Sequence, residues 1–320
     1  MVALLLASDN SARWAQADEP AFQARVRALC GNCGYQMRNA QGDPARQRAQ
    51  LAEVLDAGAD VVVLNAVSAD SGEALVRRAG EVPGVAYDRF VAGADYYVSF
   101  DPSAIGTRVA RAVAARVGRG SGVLVVNGAQ TDPNGVVIKR SVHRVLARER
   151  IRILAEVDPV TWSSAEARDW VAQQLRSRRP GSFDAVLAGN DEQAAGVAEA
   201  LTDAGVTPDQ WPVISGQDAS LDALRRIVAG QQTFTVYKSF RREATRAADV
   251  ALAVLADRPV ASVAPDDEPT DVEGVPSFVF TPVVVSVDNL TDTVVRDGLV
   301  TPEALCDASI ADRCRALGIR

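Results

Sequence analysis

Apolar residues in this chain follow two alternating rhythms. Short continuous runs, such as Val2–Ala7 (VALLLA) and Asp60–Asn65 (DVVVLN), give way to longer stretches in which apolar positions recur every three or four residues. The first rhythm predicts strands buried on both faces, as in a parallel sheet, and the second predicts amphipathic helices. In order, the pattern predicts strand Val2–Ala7, helix Ala12–Leu29, strand Tyr35–Arg38, helix Pro44–Leu55 with Asp43 as N-cap, strand Asp60–Asn65, helix Glu73–Ala79, and strands Val85–Tyr87 and Tyr96–Ser99. From Pro102 the pattern restarts: helix Ser103–Val117, strand Gly122–Asn127, helix Gly135–Glu149, strand Ile151–Val157, helix Ser164–Arg176, strand Phe183–Ala188 and helix Glu192–Ala204. The stretch Trp211–Lys238 repeats the device compactly. Strand Trp211–Ser215 meets a Gly-Gln-Asp turn, a helix follows, and the next strand, Thr233–Tyr237, ends on Lys238. Helix Arg241–Ala256, a Pro/Asp/Glu-rich loop over Asp257–Gly274, one extended segment within Val275–Val287 and a short helix Asp288–Asp297 complete the reading.

Strands alternating with helices predict the α/β class, with parallel central sheets and right-handed crossovers. The length of 320 residues fits two such units, which read as comparable Rossmann-like halves. The 48% hydrophobic content is mostly Ala, Val and Leu, with only 5% aromatic, as suits small-residue helices on parallel sheets. A net charge of −7 without a basic block argues against nucleic acid as a partner. No apolar run approaches the roughly 18 residues needed to span a bilayer. The opening apolar run has no basic stretch before it, so it reads as the first core strand; a signal segment, if the natural precursor carries one, has been removed.

Four cysteines fall in two local pairs, Cys30/Cys33 and Cys306/Cys314. Zinc would need further ligands, and the single histidine, His143, lies on a predicted helix. A thioredoxin-type pair opens a helix, whereas Cys30 closes one ahead of the Gly31-Asn32 stop signal. Two disulfides in an exported chain are therefore expected, although four cysteines permit three pairings. No metal or cofactor is implied.

Several polar residues stand just after predicted strands or at the next helix start: Arg13, Asp88, Arg89, Asn134, Asn190, Asp191, Asp218 and Lys238, accompanied by Trp14 and Trp162. In open α/β sheets, ligands bind at the carboxyl ends of strands. Forked charged groups and amides match the paired hydroxyls of a polyol, and an indole covers the C–H face of a sugar ring. Each residue also has a purely structural reading. Asp88-Arg89 can be a salt bridge or a solvated turn, Asp218 a helix cap and Asn190-Asp191 an N-cap pair. Lys238 can be a surface group, Trp162 a core staple and Arg13 a solvent-facing helix residue.

The order of ARW (Ala12–Trp14), GVAYDR (Gly84–Arg89), YYVSFD (Tyr96–Asp101), TDPNG (Thr131–Gly135), AGND (Ala188–Asp191), ISGQDA (Ile214–Ala219), TVYK (Thr235–Lys238) and TPVVVSVDNLTDTVVRDG (Thr281–Gly298) resembles the D-xylose-binding proteins of bacterial ABC transporters, type I periplasmic sugar-binding proteins. The resemblance runs from Leu4 to about Val300. It implies two lobes, 1–101 plus 239–281 and 102–238 plus 282–320. Three crossovers join them, near Asp101–Pro102, near Lys238–Phe240 and within Thr281–Val287, with a ligand cleft between the lobes. It further implies that Arg13, Asp88 and Arg89 contact a monosaccharide from the N-terminal lobe. Asn134, Trp162, Asn190, Asp218 and Lys238 would do so from the other lobe or the hinge, and Trp14 would cover one sugar face. Xylose, glucose or another aldose is the implied ligand and a membrane ABC permease the implied partner. The chain would act as a monomer, extracytoplasmic, either periplasmic or lipid-anchored at the outer face of the cell membrane. Pro133 departs from the polar residue usual in the family, and the CGNCG segment and cysteine-bearing tail look like local additions.

Two other functions share parts of this pattern. The effector core of a LacI-type transcription regulator has the same fold, but it follows a helix-turn-helix module, whereas this sequence opens on strand one and carries paired cysteines suited to an oxidising compartment. A glycoside-cleaving enzyme would use Asp88 and Asp218 as paired carboxylates, yet the neighbouring Arg89 and Lys238 favour their charged forms. On the binding-protein reading, Asp88→Ala and Asp218→Ala are each expected to abolish sugar binding and leave thermal unfolding nearly unchanged.

Overall fold

The continuous apolar runs become the centres of parallel sheets. The computed structural model describes residues 1–8, 13–179, 181–263 and 270–319. The expected helix start at Ala12, and part of the expected Asp257–Gly274 loop, lie outside them. In chain order the elements are β1 (Val2–Leu6), α1 (Glu19–Leu29), β2 (Tyr35–Asn39), α2 (Pro44–Asp56), β3 (Val61–Leu64), α3 (Ala69–Ala79), β4 (Gly84–Tyr87), β5 (Tyr96–Phe100), α4 (Pro102–Val117), β6 (Gly122–Val126), α5 (Pro133–Arg148), β7 (Arg152–Val157), α6 (Ser164–Ser177), β8 (Ala185–Ala188) and α7 (Asp191–Asp203). Then come β9 (Val213–Ile214), α8 (Leu221–Ala229), β10 (Thr235–Tyr237), α9 (Phe240–Leu255), β11 (Thr270–Val272), β12 (Val275–Phe280), β13 (Val283–Val285), α10 (Pro302–Leu305) and α11 (Ala311–Ala316). Wide π-helical turns occupy Trp14–Asp18 and Thr291–Val295.

The chain divides into two units. The first comprises Met1–Asp101, Thr131–Asn134 and Ser239–Thr281; the second comprises Pro102–Gln130, Gly135–Lys238 and Pro282–Arg320. The first unit holds a seven-stranded sheet in the order β11-β12-β5-β4-β3-β1-β2, parallel except for the β11–β12 pair. Every residue of β1 and β3 is buried, which is why their sequences are unbroken apolar runs rather than alternating ones. Leu51 and Val54 of α2 and Leu75 of α3 join one core cluster with β1, β3 and β4. Helix α9 packs on β3, β4 and β5 and against α1. Half of its buried positions are Ala, so it lies close to the sheet.

The second unit has a four-stranded parallel sheet, β7-β6-β8-β9, and a two-stranded antiparallel ladder, β10-β13. Helices α6 and α7 touch at Gly196, where a Cβ would lie 2.0 Å from the Ser164 carbonyl oxygen. The tail from Leu290 to Ile319 packs with Leu224, Ile227 and Val228 of α8 into a separate cluster. Cys30 bonds to Cys33 and Cys306 to Cys314, so the local pairing is the one formed.

Several local expectations are corrected. Strand β10 ladders with β13 rather than extending the parallel sheet, although Thr233 N donates to Ile214 O and Val236 N to Gly216 O, which keeps it beside β9. The single extended segment within Val275–Val287 is two strands, β12 in the first unit and β13 in the second, parted at Thr281-Pro282. The Asp257–Gly274 stretch contains a 3-10 turn, Val260–Val263, and edge strand β11. The expected helix over Asp288–Asp297 reduces to the π-helical turn Thr291–Val295. Helix α3 starts earlier than its apolar periodicity suggests, because Ser68 and Ser71 form a capping box.

Gly106 of α4 lets α5 approach. A Cβ there would lie 2.5 Å from the Ile138 carbonyl oxygen and 2.9 Å from Ser141 Cβ. Gly106→Ala gains roughly 1 kcal/mol of helix propensity but forces two backbones apart, an overpacking cost of about 1–3 kcal/mol. A lowered urea midpoint is expected, and an unchanged or raised midpoint would show that the helices can separate freely.

Candidate functional site

In the first unit the polar strand-end residues converge on one buried guanidinium. Arg13 stands at the start of the π-helical turn Trp14–Asp18, whose wide backbone brings Asp18 back beneath it. Arg13 is 7% exposed, with its guanidinium 4.1 Å from the Trp14 ring centroid and 3.7 Å from that of Phe240. It donates from Nε to Asp18 Oδ2 (3.0 Å), from Nη2 to Asp18 Oδ1 (2.6 Å) and Glu243 Oε2 (3.1 Å), and from Nη1 to Asp88 Oδ1 (2.9 Å). The solvent-facing reading of Arg13 is thus overturned: the turn folds it inward, between two aromatic faces and among three carboxylates. Burial works against its charge, but Asp18, Asp88 and Glu243 outweigh it and hold its pKa well above the ordinary value. Burial raises the Asp18 pKa, against the opposing pull of Arg13. The Tyr87 hydroxyl donates to Asp18, and burial pushes its own pKa far up, so it remains a neutral donor.

Asp88 leaves β4 with φ 62°, an uncommon conformation for a non-glycine residue. Its carbonyl oxygen accepts from Ser99 Oγ (2.7 Å), Asn134 Nδ2 (2.9 Å) and Tyr97 Oη (3.3 Å), which holds the strained residue in place. Arg89 does not pair with Asp88. Its Nε lies 2.9 Å from Asp132 Oδ2, and its Nη1 donates to the carbonyls of Ala66 (2.8 Å) and Val67 (3.2 Å). Asp132 also accepts from the Asn134 amide at the start of α5 (2.9 Å). Arg13, Trp14, Asp88 and Arg89 are therefore gathered in one unit, and Asn134, which the resemblance placed in the other lobe or the hinge, joins them there, held by its bond to the Asp88 carbonyl. Asp18, Tyr87, Asp132, Phe240 and Glu243 complete the cluster and went unselected in the sequence. Asp18 and Glu243 lie inside helical stretches, where an acidic residue signals nothing, and only their burial distinguishes them.

The second unit carries the remaining candidates. Trp162 follows β7 in a loop organised by Glu166, which accepts from Val160 N (3.0 Å), Thr161 N (2.9 Å), Thr161 Oγ1 and Ser163 Oγ (3.2 Å). Desolvation works to raise the Glu166 pKa, but the hydrogen bonds from Thr161, Val160 and Ser163 together outweigh it and lower it. The half-buried indole lies over two glycines: a Cβ on Gly128 would come within 2.0 Å of it and one on Gly189 within 3.2 Å. Asn190 caps α7, accepting from Gln193 N (2.9 Å), while its Nδ2 donates to Glu192 (2.7 Å) and to the Trp162 carbonyl (3.4 Å). Asp218 is not the cap of α8; Ser220 is, accepting from Ala223 N (3.3 Å). Asp218 Oδ1 instead lies 3.0 Å from Lys238 Nζ, and both residues are buried, which sets aside the surface reading of Lys238. Asp218 also has positive φ, 103°, followed by Ala219 at 56°.

These contacts correct one expectation. Asp88 and Asp218 each contact a buried cation, so truncating either removes an ion-pair contact as well as a ligand group; a lowered thermal unfolding temperature is expected instead.

Both units thus carry a buried carboxylate–cation pair: in the first, Asp88–Arg13 lies beside Trp14, and in the second, Asp218–Lys238 shares its unit with Trp162. Comparison with known proteins gives the same direction. The family model described as periplasmic binding protein domain matches residues 2–259. The D-xylose-binding periplasmic protein of Escherichia coli is 30% identical over 295 residues, covering 89% of this chain and 86% of that protein. The D-xylose-binding periplasmic protein of Haemophilus influenzae is 29% identical over 304 residues, covering 92% and 88%. In fold, the chain is similar to an ABC transporter solute-binding protein from Clostridium phytofermentans with bound β-D-glucose, with TM-score 0.82, 20% identity and coverage of 95% and 99%. The fold is the type I periplasmic binding protein fold.

Arg13→Met keeps the bulk between the two rings but leaves Asp18, Asp88 and Glu243 without their shared cation. The expected cost is about 3–5 kcal/mol, read as a lowered urea midpoint. Wild-type stability in this variant would show that the carboxylates are neutralised by other means.

Proposed function

This chain belongs to the periplasmic binding protein family, and we propose that it serves as the extracytoplasmic sugar-binding component of an ABC importer, with D-xylose as its foremost ligand. The observation that carries this reading is the repeated set of groups in the two units. Asp88 with Arg13 lies beside Trp14, and the Asp218–Lys238 pair shares its unit with Trp162. A sugar hydroxyl donates once and accepts twice, so a carboxylate and a cation at hydrogen-bonding distance satisfy it from both sides. An indole supplies the apolar face that a pyranose C–H surface requires. Xylose is preferred because two of the most similar relatives carry that name at about 30% identity over most of their length. Glucose differs by one hydroxymethyl group, and a related solute-binding protein of the same fold holds it.

On this reading Arg13, Trp14, Asp88, Arg89 and Asn134 meet the sugar from the first unit, and Trp162, Asn190, Asp218 and Lys238 from the second. A ligand shifts a conformational equilibrium only by its differential affinity, and a state in which both sets of groups reach the sugar binds it better than one in which a single set does. Sugar would therefore favour hinge closure, and the closed monomer is what a membrane permease would recognise. Each aspartate is paired with a cation rather than standing as a lone acid, which favours binding over glycoside cleavage. Two disulfides suit an oxidising compartment, and among the described residues no helix is long and apolar enough to cross a membrane. The chain would accordingly work outside the cytoplasm, free or tethered to the outer face of the membrane.

Ligand-stripped protein screened by thermal shift against pentoses, hexoses and polyols tests the reading. A ligand that binds only the folded state, at about 1,000 times its Kd, stabilises by about 4 kcal/mol. D-xylose is expected to give the largest shift, and calorimetry on Asp218→Ala is expected to show binding lost. If no monosaccharide shifts the wild type, the sugar reading fails; if Asp218→Ala keeps its affinity, that residue's role fails.

A further inference from the structure

We infer that Asp191 is a positioning residue for the Asp218–Lys238 pair. Its buried carboxylate holds the Gly216–Ser220 turn in the backbone conformation that presents Asp218 to Lys238. The functional meaning of this inference rests on the sugar-binding reading above; the geometry stands without it.

Asp191 is the first residue of α7 and is 1% exposed. A helix N-terminus accounts for an aspartate at that place but not for where its side chain points. Its Oδ2 accepts from the Ser220 amide (2.9 Å), and its Oδ1 accepts from Thr235 Oγ1 (2.8 Å) and Gln232 Nε2 (2.9 Å). The same Thr235 hydroxyl accepts from the Ala219 amide (3.2 Å). Two successive amides of the turn, Ala219 and Ser220, are thereby held by one carboxylate, the first through Thr235. The main chain adds Asp191 N to Gln217 O (3.0 Å) and Asp218 N to Val236 O (2.9 Å). This grip answers a specific need. Asp218 and Ala219 sit at φ 103° and 56° without being glycines, and such residues persist only where their surroundings over-determine them. Gly216 completes the fit, because a Cβ there would lie 2.1 Å from Asp191 Oδ1.

Among the described residues three donors and no acceptor meet this carboxylate, so the ionised form is the one the turn uses. The charged groups facing it are Asp218 from the turn and Arg226 from α8, whose Nη2 donates to the Asp191 main-chain oxygen (2.8 Å). Lys238 is engaged with Asp218, and neighbouring Glu192 with Asn190 Nδ2. From the β10 side, among the described residues, neutral Thr235 and Gln232 reach it. Burial, followed by repulsion from Asp218, pushes the Asp191 pKa up to about 6. Protonation below that pH converts an acceptor into a donor facing donors, which loosens the turn and weakens sugar binding. The stability contribution has the opposite sign. A carboxyl whose pKa is higher folded than unfolded binds protons more readily when folded, so its contribution to stability rises as pH falls through about 6. Affinity and stability thus move in opposite directions, which a purely structural role would not produce.

The test compares wild type, Asp191→Asn and Thr235→Val by calorimetry with D-xylose and D-glucose at neutral and mildly acidic pH, together with hydrogen exchange at the Ala219 and Ser220 amides. For Asp191→Asn the expected results are binding weakened about tenfold at neutral pH, no loss of affinity on acidification, and faster exchange at both amides. Wild type should lose affinity as pH drops below about 6. Thr235→Val should weaken binding while keeping the wild-type pH dependence. Wild-type affinity and pH profile in Asp191→Asn would overturn the inference. If that variant does not fold, unchanged affinity and exchange in Thr235→Val would do the same. Should the wild type bind neither sugar, the functional reading falls, and amide exchange alone decides whether Asp191 holds the turn.

Discussion

A buried guanidinium needs anions, and the first unit is arranged around that requirement. An unpaired charge in an apolar interior is strongly destabilising, while a pair with satisfied hydrogen bonds is tolerated. Arg13 collects Asp18 from its own π-helical turn, Asp88 from the end of β4 and Glu243 from the first turn of α9. Three segments far apart in sequence are thus tied to one cation. Glu243 thereby ties α9, and Asp18 the turn Trp14–Asp18, to that cation. Trp14 and Phe240 flank the guanidinium, so its weakly hydrated faces meet rings rather than water.

The second unit solves a related problem on a smaller scale. Asp218 and Lys238 pair with each other, and the strain of the turn that carries Asp218 is held by groups outside it. Asp88 and Asp218 share a feature that their sequences do not reveal. Both follow a parallel strand, and both adopt positive φ without being glycine. In each case polar groups converge to fix the residue: the hydroxyls of Ser99 and Tyr97 with the Asn134 amide around Asp88, and Asp191 with Thr235 at the turn beyond Asp218. Rigid presentation of a carboxylate is what a ligand site gains from such an arrangement, because the ordering cost is met before the ligand arrives. The indoles are set differently. Trp14 stacks on a cation within its own turn, whereas Trp162 lies against glycines that have no side chain to displace it.

The tail adds a third constraint. Residues beyond Leu290 would expose apolar surface if they did not cover α8, and the Cys306–Cys314 bridge closes a short loop there, which limits the freedom of the unfolded tail. Arg225 of α8 donates to the Ala304 carbonyl (2.6 Å), tying the same helix to the tail. Helix α8 follows directly from the turn that bears Asp218, so Ala219 of that turn packs in the same cluster as the tail while Ser220 is held by Asp191.

By itself the sequence determined the class of fold, because burial on both faces writes itself as unbroken apolar runs and helices write themselves as a period of three to four. It also determined which polar residues end strands, since that is a matter of adjacency along the chain. Tertiary structure alone decided what those residues do. Arg13 reads as a solvent-facing helix residue until its three carboxylates are brought together around it, Asp18 and Glu243 read as ordinary helical acids until their burial is seen, and Asp191 reads as half of an N-cap pair until its side chain is found on the next turn. Asp218 reads as a helix cap until Ser220 takes that place. The apolar pattern also hid the split of the Val275–Val287 segment between two sheets, which only the family resemblance implied, because an apolar run records burial and not the strand it lies against. Periodicity is a local property set by the backbone; the pairing of buried charges and the choice of a strand's neighbour are long-range, and they exist only once the chain has folded.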